Sequence, residues 1–385
     1  MESSVYFATV ARGLEAVAAQ ELQALGASEV EPGFTGVQFR GDRPLLYHVN
    51  LWARLPFRVL EQIRQFPCRD ADQLYQGIQE IDWAAYLSPE QTFAVRATGK
   101  TPQLNHTHFT ALQVKNAIVD QQRQRLGQRS SIDTHQPDVW INVFVSSGEP
   151  GNPRSRPSAI VSLDSTGESL HRRGYRPAMG VAPLKETLAA ALIALTDWTP
   201  ERPFLDPLCG SGTLPIEAAM KGLNIAPGLF REQFAFERWR DFDGALWSEM
   251  KREAIAQQHS HLPAPIIGSD ADAAVLQDAQ VNARECGLEA HLKLVQQSLS
   301  EVEPVGDRGV ILCNPPYGER IGEVKSLGAL YRELGDVFKQ RFKGWTAYVL
   351  SGNQALIKQI GLKPARRTVV YNGAIECRLL KYELY

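Results

Sequence analysis

The sequence predicts two chain halves of different class. A mixed α+β half over residues 1–165 precedes an α/β half whose mostly parallel sheet closes in an antiparallel hairpin. Three observations carry this expectation. From Pro183 onward, helical stretches alternate with short buried strands: LKETLAAALIALTD, PFLD, TLPIEAAMKG, PIIGSD, AAVLQDAQVNAREC, VILC, a helix near LYRELGDVFKQRF, then TAYVLS. Such alternation builds a parallel sheet with helices on both faces. It ends at RTVVYNGAIECRLLKYEL, where Asn372-Gly373 between two β-rich runs signals a two-residue hairpin. Before Pro183 the helices and strands follow no such alternation.

In the first half VYFATV (5–10) reads as a strand and GLEAVAAQELQALG (13–26) as an amphipathic helix stopped by Gly26. A strand VQFRG (37–41), a helical stretch over 48–63, a strand FAVRATG (93–99) and a helix over 111–127 follow, then strands VWINVFVS (139–146) and AIVSLDS (159–165). Neither a phosphate-binding glycine loop nor a catalytic cluster occurs here, so this half reads as a binding module. Residues 166–182 form a basic connector punctuated by Gly and Pro. The expected division is 1–44, 45–165, the linker 166–182, and 183–385.

At 385 residues, two or three domains are expected. No apolar run approaches the ~18 residues of a membrane span, and the N-terminus lacks the basic start and apolar core of a signal peptide. The five cysteines are scattered without CxxC pairing, which points to reduced thiols in the cytosol, with neither disulfides nor a metal site. The net charge of −2 gives no global sign of a nucleic-acid partner. Local basic clusters do, among them RQRLGQR (123–129), HRRGYR (171–176) and KPARR (363–367). Arg172, Arg173 and Arg176 are the candidate phosphate contacts.

Three motifs carry chemistry. In FLDPLCGSGTLPIEAA a strand runs into Asp206, a glycine turn follows, and Thr213 opens a helix. Gly210 and Gly212 let backbone approach a ligand, and the helix offers free amides. The dinucleotide fingerprint and the Lys-Ser/Thr of a phosphate-binding loop are both missing. An acid at the strand end suits a cationic, amino-bearing ligand such as S-adenosylmethionine. In IIGSDAD, Asp270 falls at the tip of the next strand, where a carboxylate can accept ribose hydroxyls. It lies about 60 residues past the glycines rather than the usual ~20, so residues 223–254 read as an insertion. Its Trp239 and Trp247 read as packing residues.

The third motif, NPPY at Asn314–Tyr317, ends the fourth strand of the α/β half at the edge where such sheets bind ligands. The Asn314 side-chain oxygen and the Pro315 carbonyl can hold both hydrogens of an exocyclic amine, while Tyr317 stacks on the base. Proline has no backbone N–H, so Pro315 and Pro316 keep the loop rich in acceptors. Such a site needs neither a metal nor a covalent nucleophile.

With these motifs in hand, the chain resembles the THUMP-domain RNA methyltransferases of the RlmL type, which methylate guanine N2 in 23S ribosomal RNA. The resemblance runs from FATVARGLEAVAAQELQALGA through HRRGYR and DPLCGSGTLPIEAAM to NPPYGER. It implies a Rossmann-like class I methyltransferase domain behind a ferredoxin-like part and a THUMP domain that guides RNA docking. It assigns S-adenosylmethionine to Asp206, Pro207, Cys209, Gly210, Gly212, Thr213, Asp270 and Asn314, with Pro183 at the methionine end and Gln297 and Ser298 after the third strand. Gln297 and Ser298 stand where many methyltransferases carry an acid for the adenine amine. The resemblance implies an RNA partner, ribosomal RNA first and tRNA second, and no membrane. Long relatives carry a second methyltransferase domain, so a second methylation is not expected of this chain. A DNA adenine-N6 enzyme and a silent RNA-binding adaptor are the other readings; the RNA-docking half argues against the first, the intact motifs against the second.

Overall fold

The computed structural model describes residues 3–148, 156–176, 184–318 and 321–385. In the first half β1 (Ser4–Thr9), α1 (Glu15–Ala24), β2 (Ser28–Gly33), β3 (Gly36–Gly41), α2 (Arg43–Trp52) and β4 (Arg58–Pro67) come first. Then follow α3 (Ala71–Gln79), β5 (Thr92–Lys100), α4 (Thr107–Leu126), β6 (Ser131–Ile132), β7 (Val139–Ser146) and β8 (Ser158–Asp164). Their eight strands form one sheet in the order β2-β3-β1-β4-β8-β7-β5-β6. Strand β7 shows why: Val139, Ile141, Val143 and Val145 are buried and alternate with more exposed neighbours, the period of two that gives a sheet one dry face.

The helical expectation over 48–63 is corrected. Helix α2, capped by Asp42 accepting from the Leu45 amide at 3.0 Å, ends at Trp52. Pro56 then disfavours helix in the residue before it, and Arg58 onward is strand β4, held between β1 and β8. Strand β2 and helix α3 were not foreseen.

The second half runs α5 (Glu186–Ala194), β9 (Phe204–Asp206), α6 (Thr213–Gly222), α7 (Gly244–Ala256), β10 (Ile266–Asp270), α8 (Ala273–Glu285) and β11 (Leu292–Gln296). It continues with β12 (Val310–Cys313), α9 (Ile321–Arg341), β13 (Thr346–Ser351), α10 (Gln354–Gln359), β14 (Arg366–Asn372) and β15 (Ile375–Glu383). The sheet order is β11-β10-β9-β12-β13-β15-β14. Strands β9 to β13 pair in parallel, and β15 runs antiparallel to β13 and β14. Asn372 pairs with Ile375, so the hairpin loop is Gly373-Ala374, one residue later than expected, with Gly373 at φ +63°.

The inserted segment joins the halves. Phe236 stacks on Tyr47 of α2 with centroids 4.6 Å apart, and Trp247 meets Phe236 edge-on at 5.1 Å. Trp239 and Trp247 are buried, in keeping with their reading as packing residues. Arg43 bridges Glu61 and Asp241, while Arg238 reaches Asp138. No helix among the described residues is long and apolar enough to cross a membrane.

Candidate active site

The topology places the site. Chain order reverses between β9 and β12, and ligands of open α/β sheets bind at such a switch point, beyond the C-terminal strand ends. Three neighbouring strands end there: β10 on Asp270, β9 on Asp206, and β12 just before Asn314. Neighbouring strands lie about 4.8 Å apart, so the tips of β10 and β12 stand about 10 Å apart on either side of β9.

Asp206 is buried, and the Leu208 amide donates to its Oδ1 at 3.2 Å. Burial first, and then the Asp270 charge, holds its carboxyl well above the usual carboxylate range, against the pull of that amide. Among the described residues it has no salt bridge. Pro207 is buried behind it, and the buried Cys209 and Cys313 thiols are pushed upward by burial and by Asp206.

The turn itself needs glycine. Gly210 and Gly212 sit at φ +54° and +81°, the left-handed region that side chains disfavour. A Cβ on Gly212 would also stand 3.0 Å from the Ala279 Cβ. Asp270 braces the turn, since Gly210 N donates to its Oδ2 at 3.0 Å and Asp272 N to its Oδ1 at 3.1 Å. Each oxygen keeps a further lone pair for a ligand hydroxyl. The Gln297 amide donates to the Asp270 carbonyl at 3.1 Å, which sets Gln297 at the same strand edge. The Ser298 hydroxyl is engaged with Glu301 at 2.8 Å.

At NPPY, Asn314 Oδ1 is buried and has no hydrogen-bond partner among the described residues. A buried acceptor left unpaired costs about 1–3 kcal/mol, so this one, just past the end of β12 where such sheets bind ligands, reads as a receptor for a donor. Pro315 is buried and Pro316 exposed. The Tyr317 hydroxyl accepts from Asn372 Nδ2 at 2.8 Å, and its carbonyl from Asn353 Nδ2 at 3.4 Å. Asn372 and Asn353 were missed as site residues; the Asn-Gly pair drew attention to Asn372 only as a turn former. Pro183, Glu319 and Arg320 lie outside the described residues.

The basic cluster divides three ways. Arg172 is exposed and pairs with Glu168. Arg173 is corrected: at 2% exposure it donates to both Glu217 oxygens and, at 2.6 Å, to the Arg54 carbonyl. It is a structural ion pair joining the halves, out of reach of RNA. Arg176 is corrected too. Its guanidinium is buried against Glu186 at 3.0 Å and Ser211 Oγ at 3.0 Å, and it also donates to Thr213 Oγ1. It clamps the start of α6 under the glycine turn, so Thr213 is turned toward Arg176. Among the described residues, no three His, Cys, Asp or Glu side chains gather as a metal site would need.

These residues fit a cationic nucleoside ligand: an acid without a counter-charge, a glycine cradle, a second acid at the next strand, and an orphaned acceptor. Residues 173–381 match the family described as RMKL-like, methyltransferase domain; 68–149 match the THUMP domain and 5–60 the RlmL ferredoxin-like domain. A Synechocystis protein, slr0064, named as a proposed RNA methyltransferase, is 55% identical over 99% of this chain and 97% of its own. The ribosomal RNA large subunit methyltransferase K/L of Syntrophotalea carbinolica is 40% identical over 98% of this chain. The chain spans about half that relative's length, 53%. A crystal structure of the methyltransferase candidate SMU.472, complexed with SAH, superposes with a TM-score of 0.89 at 34% identity, over 100% of this chain and 99% of that one. The chain therefore belongs to the RMKL-like methyltransferases, carrying its methyltransferase domain behind a ferredoxin-like and a THUMP domain.

Proposed function

We propose that this chain transfers a methyl group from S-adenosylmethionine to the exocyclic N2 of a guanine in 23S ribosomal RNA. Residues 45–165 guide the RNA and 183–385 carry the chemistry, with 166–182 between them. The observation that carries the reading is the buried, unpartnered Oδ1 of Asn314 at the switch point, beside Asp206 and Asp270. The names of the K/L relatives and the THUMP match support an RNA substrate. A cytosolic setting agrees with five buried, free cysteines.

The residues divide the work as follows. S-adenosylmethionine, when bound, supplies an electrophilic methyl carbon on a positively charged sulfur. Asp206 offers the buried negative charge that a cation would neutralise, Asp270 accepts ribose hydroxyls, and the Gly210–Gly212 turn admits the ligand close to backbone. A guanine amine is a weak nucleophile because its lone pair is delocalised into the ring. Asn314 Oδ1 and the Pro315 carbonyl each accept one of its N–H groups, which favours a tetrahedral nitrogen. The nitrogen would gain the methyl as its bond to sulfur breaks, with S-adenosylhomocysteine leaving, and would shed one proton to water. Tyr317 holds the base plane, and alignment supplies the remaining rate gain.

The test is to incubate the full chain with labelled S-adenosylmethionine and unmodified 23S rRNA or tRNA. Label in N2-methylguanosine from 23S rRNA supports the reading. Label confined to tRNA would move the substrate, and label on adenine N6 would overturn the choice of base.

A further inference from the structure

One face of the eight-stranded sheet is only partly covered: Phe7, Trp140 and Arg96 are half-buried and Phe144 is exposed, while Leu60, Ser162 and Asp164 beneath them are buried. Helices α1, α2 and α4 pack on the other face, where Tyr6, Val59, Phe93 and Ile141 are fully buried. The residues between these alternate to the opposite side, and pairing sets them in rows: Phe7 opposite Leu60, Leu60 opposite Asp164, and Asn142 opposite both Ser162 and Arg96. Phe7, Trp140 and Phe144 of this face belong to neither hydrophobic core, and Phe144 is 43% exposed.

The face is built for a planar, anionic polymer. The Arg96 guanidinium lies over the Trp140 ring with its Cζ 3.4 Å from the ring centre, a separation only parallel stacking permits. Arg96 and Arg58 share one buried carboxylate, Asp164, at 3.0 and 2.6 Å, so a positive charge is left over. Exposed Lys100 ends the strand that carries Arg96, while the acids Glu29 and Glu31 lie on β2 near the opposite edge. Bases stack on aromatic rings and on guanidinium planes, and cations meet the phosphates between them.

The face also leads to the site. Arg58 pairs with Thr9, and Thr9 with Gly36. The neighbouring Thr35 amide and the Gly13 amide both donate to Glu15, at 3.1 and 2.8 Å. A Cβ on Gly13 would stand 3.0 Å from the Val369 carbonyl, and Arg12 lies over the Tyr371 ring at 4.7 Å. Tyr371 precedes Asn372, which holds Tyr317.

We infer that the partly open face centred on Arg96 and Trp140 binds a single-stranded RNA segment adjoining the target nucleotide. The inference rests on the RNA reading above and gives it a surface that Arg173 and Arg176 do not provide.

The test is equilibrium binding of a labelled mixed-sequence RNA oligonucleotide to the full chain across a salt series, with Trp140→Ala, Phe144→Ala and Arg96→Gln. The two aromatic variants should each weaken binding roughly five- to a hundredfold. Arg96→Gln should reduce the slope of log affinity against log salt by about one. S-adenosylmethionine affinity should stay at the wild-type value, which separates this surface from the site, and Phe144→Ala, exposed and outside both hydrophobic clusters, should also keep the wild-type melting temperature, which separates it from folding. Wild-type RNA binding with all three variants unchanged would overturn the face while leaving the proposed reaction standing. A wild-type chain that binds no RNA would overturn both. A wild-type dimer in sedimentation that Trp140→Ala dissociates would also overturn the inference, making the face a contact between copies.

Discussion

The side-chain amide of Asn372 donates to the Tyr317 hydroxyl at 2.8 Å, tying the last residue of β14 to the tyrosine of NPPY, 55 positions earlier. The Tyr317 ring is half-buried and packs against both hydrophobic clusters, and its polar ends are held as well. Here the carbonyl is held by Asn353 and the hydroxyl by Asn372. Asn372→Ala should lower kcat roughly two- to tenfold, the worth of one hydrogen bond, and leave S-adenosylmethionine affinity unchanged. Combined with Tyr317→Phe it should add little, because both changes remove the same bond. Additive losses in steady-state assays would show that the two residues act separately.

Asp206 predicts a pH dependence. Its pKa in the empty protein is raised, chiefly by burial, so below that value the folded chain holds a proton there. A cation in the site favours the ionised form, lowers the pKa and expels the proton. S-adenosylmethionine affinity should therefore rise with pH until the free-protein pKa is passed, and then level off. Calorimetry in buffers of different ionisation enthalpy should register proton release, and Asp206→Asn should abolish it. Folding carries the opposite sign: a raised carboxyl pKa means that stability falls as pH climbs from the unfolded value toward the folded one. Binding without proton release at any pH would contradict this.

The Arg173–Glu217 pair gives a stability prediction. Both side chains are essentially buried, at 2% and 0% exposure. Arg173→Met strands the Glu217 carboxylate and should cost about 3–5 kcal/mol, seen as a lower urea midpoint. Arg172→Glu, on the surface, should leave stability nearly unchanged. If Arg173→Met instead kept full stability and lost only RNA affinity, the buried pair would not be what joins the halves.

What the sequence revealed follows from how locally each feature is determined. Strand β12 and helix α6 were legible to the residue, because a fully apolar VILC is stopped by two prolines and TLPIEAAMKG follows a glycine turn. Strand β4 was not. It is buried between two neighbours, it slips register between Gln62 and Arg64, and so it lacks the alternation that marks a half-buried strand. Edge strand β2, SEVEPG, is almost wholly exposed and has no apolar signature. The acids and acceptors of the site were readable because each sits at a strand tip. Arg173 was not, since a buried and a surface arginine look alike until Glu217, 44 residues on, is brought beside it.

Gly212→Ala would test the cradle. It places a side chain at φ +81° and 3.0 Å from the Ala279 Cβ. The strain should cost about 1–3 kcal/mol and weaken S-adenosylmethionine binding more than RNA binding. Equal losses in the two titrations would point to a global defect.

The most direct test pairs two readings on one variant, Asn314→Ala. Nucleoside mass spectrometry should find N2-methylguanosine in 23S rRNA treated with the wild-type chain and none with the variant, while calorimetry gives the two proteins similar S-adenosylmethionine affinities. Near-normal formation of N2-methylguanosine by the variant would contradict the central claim that Asn314 holds the target amine.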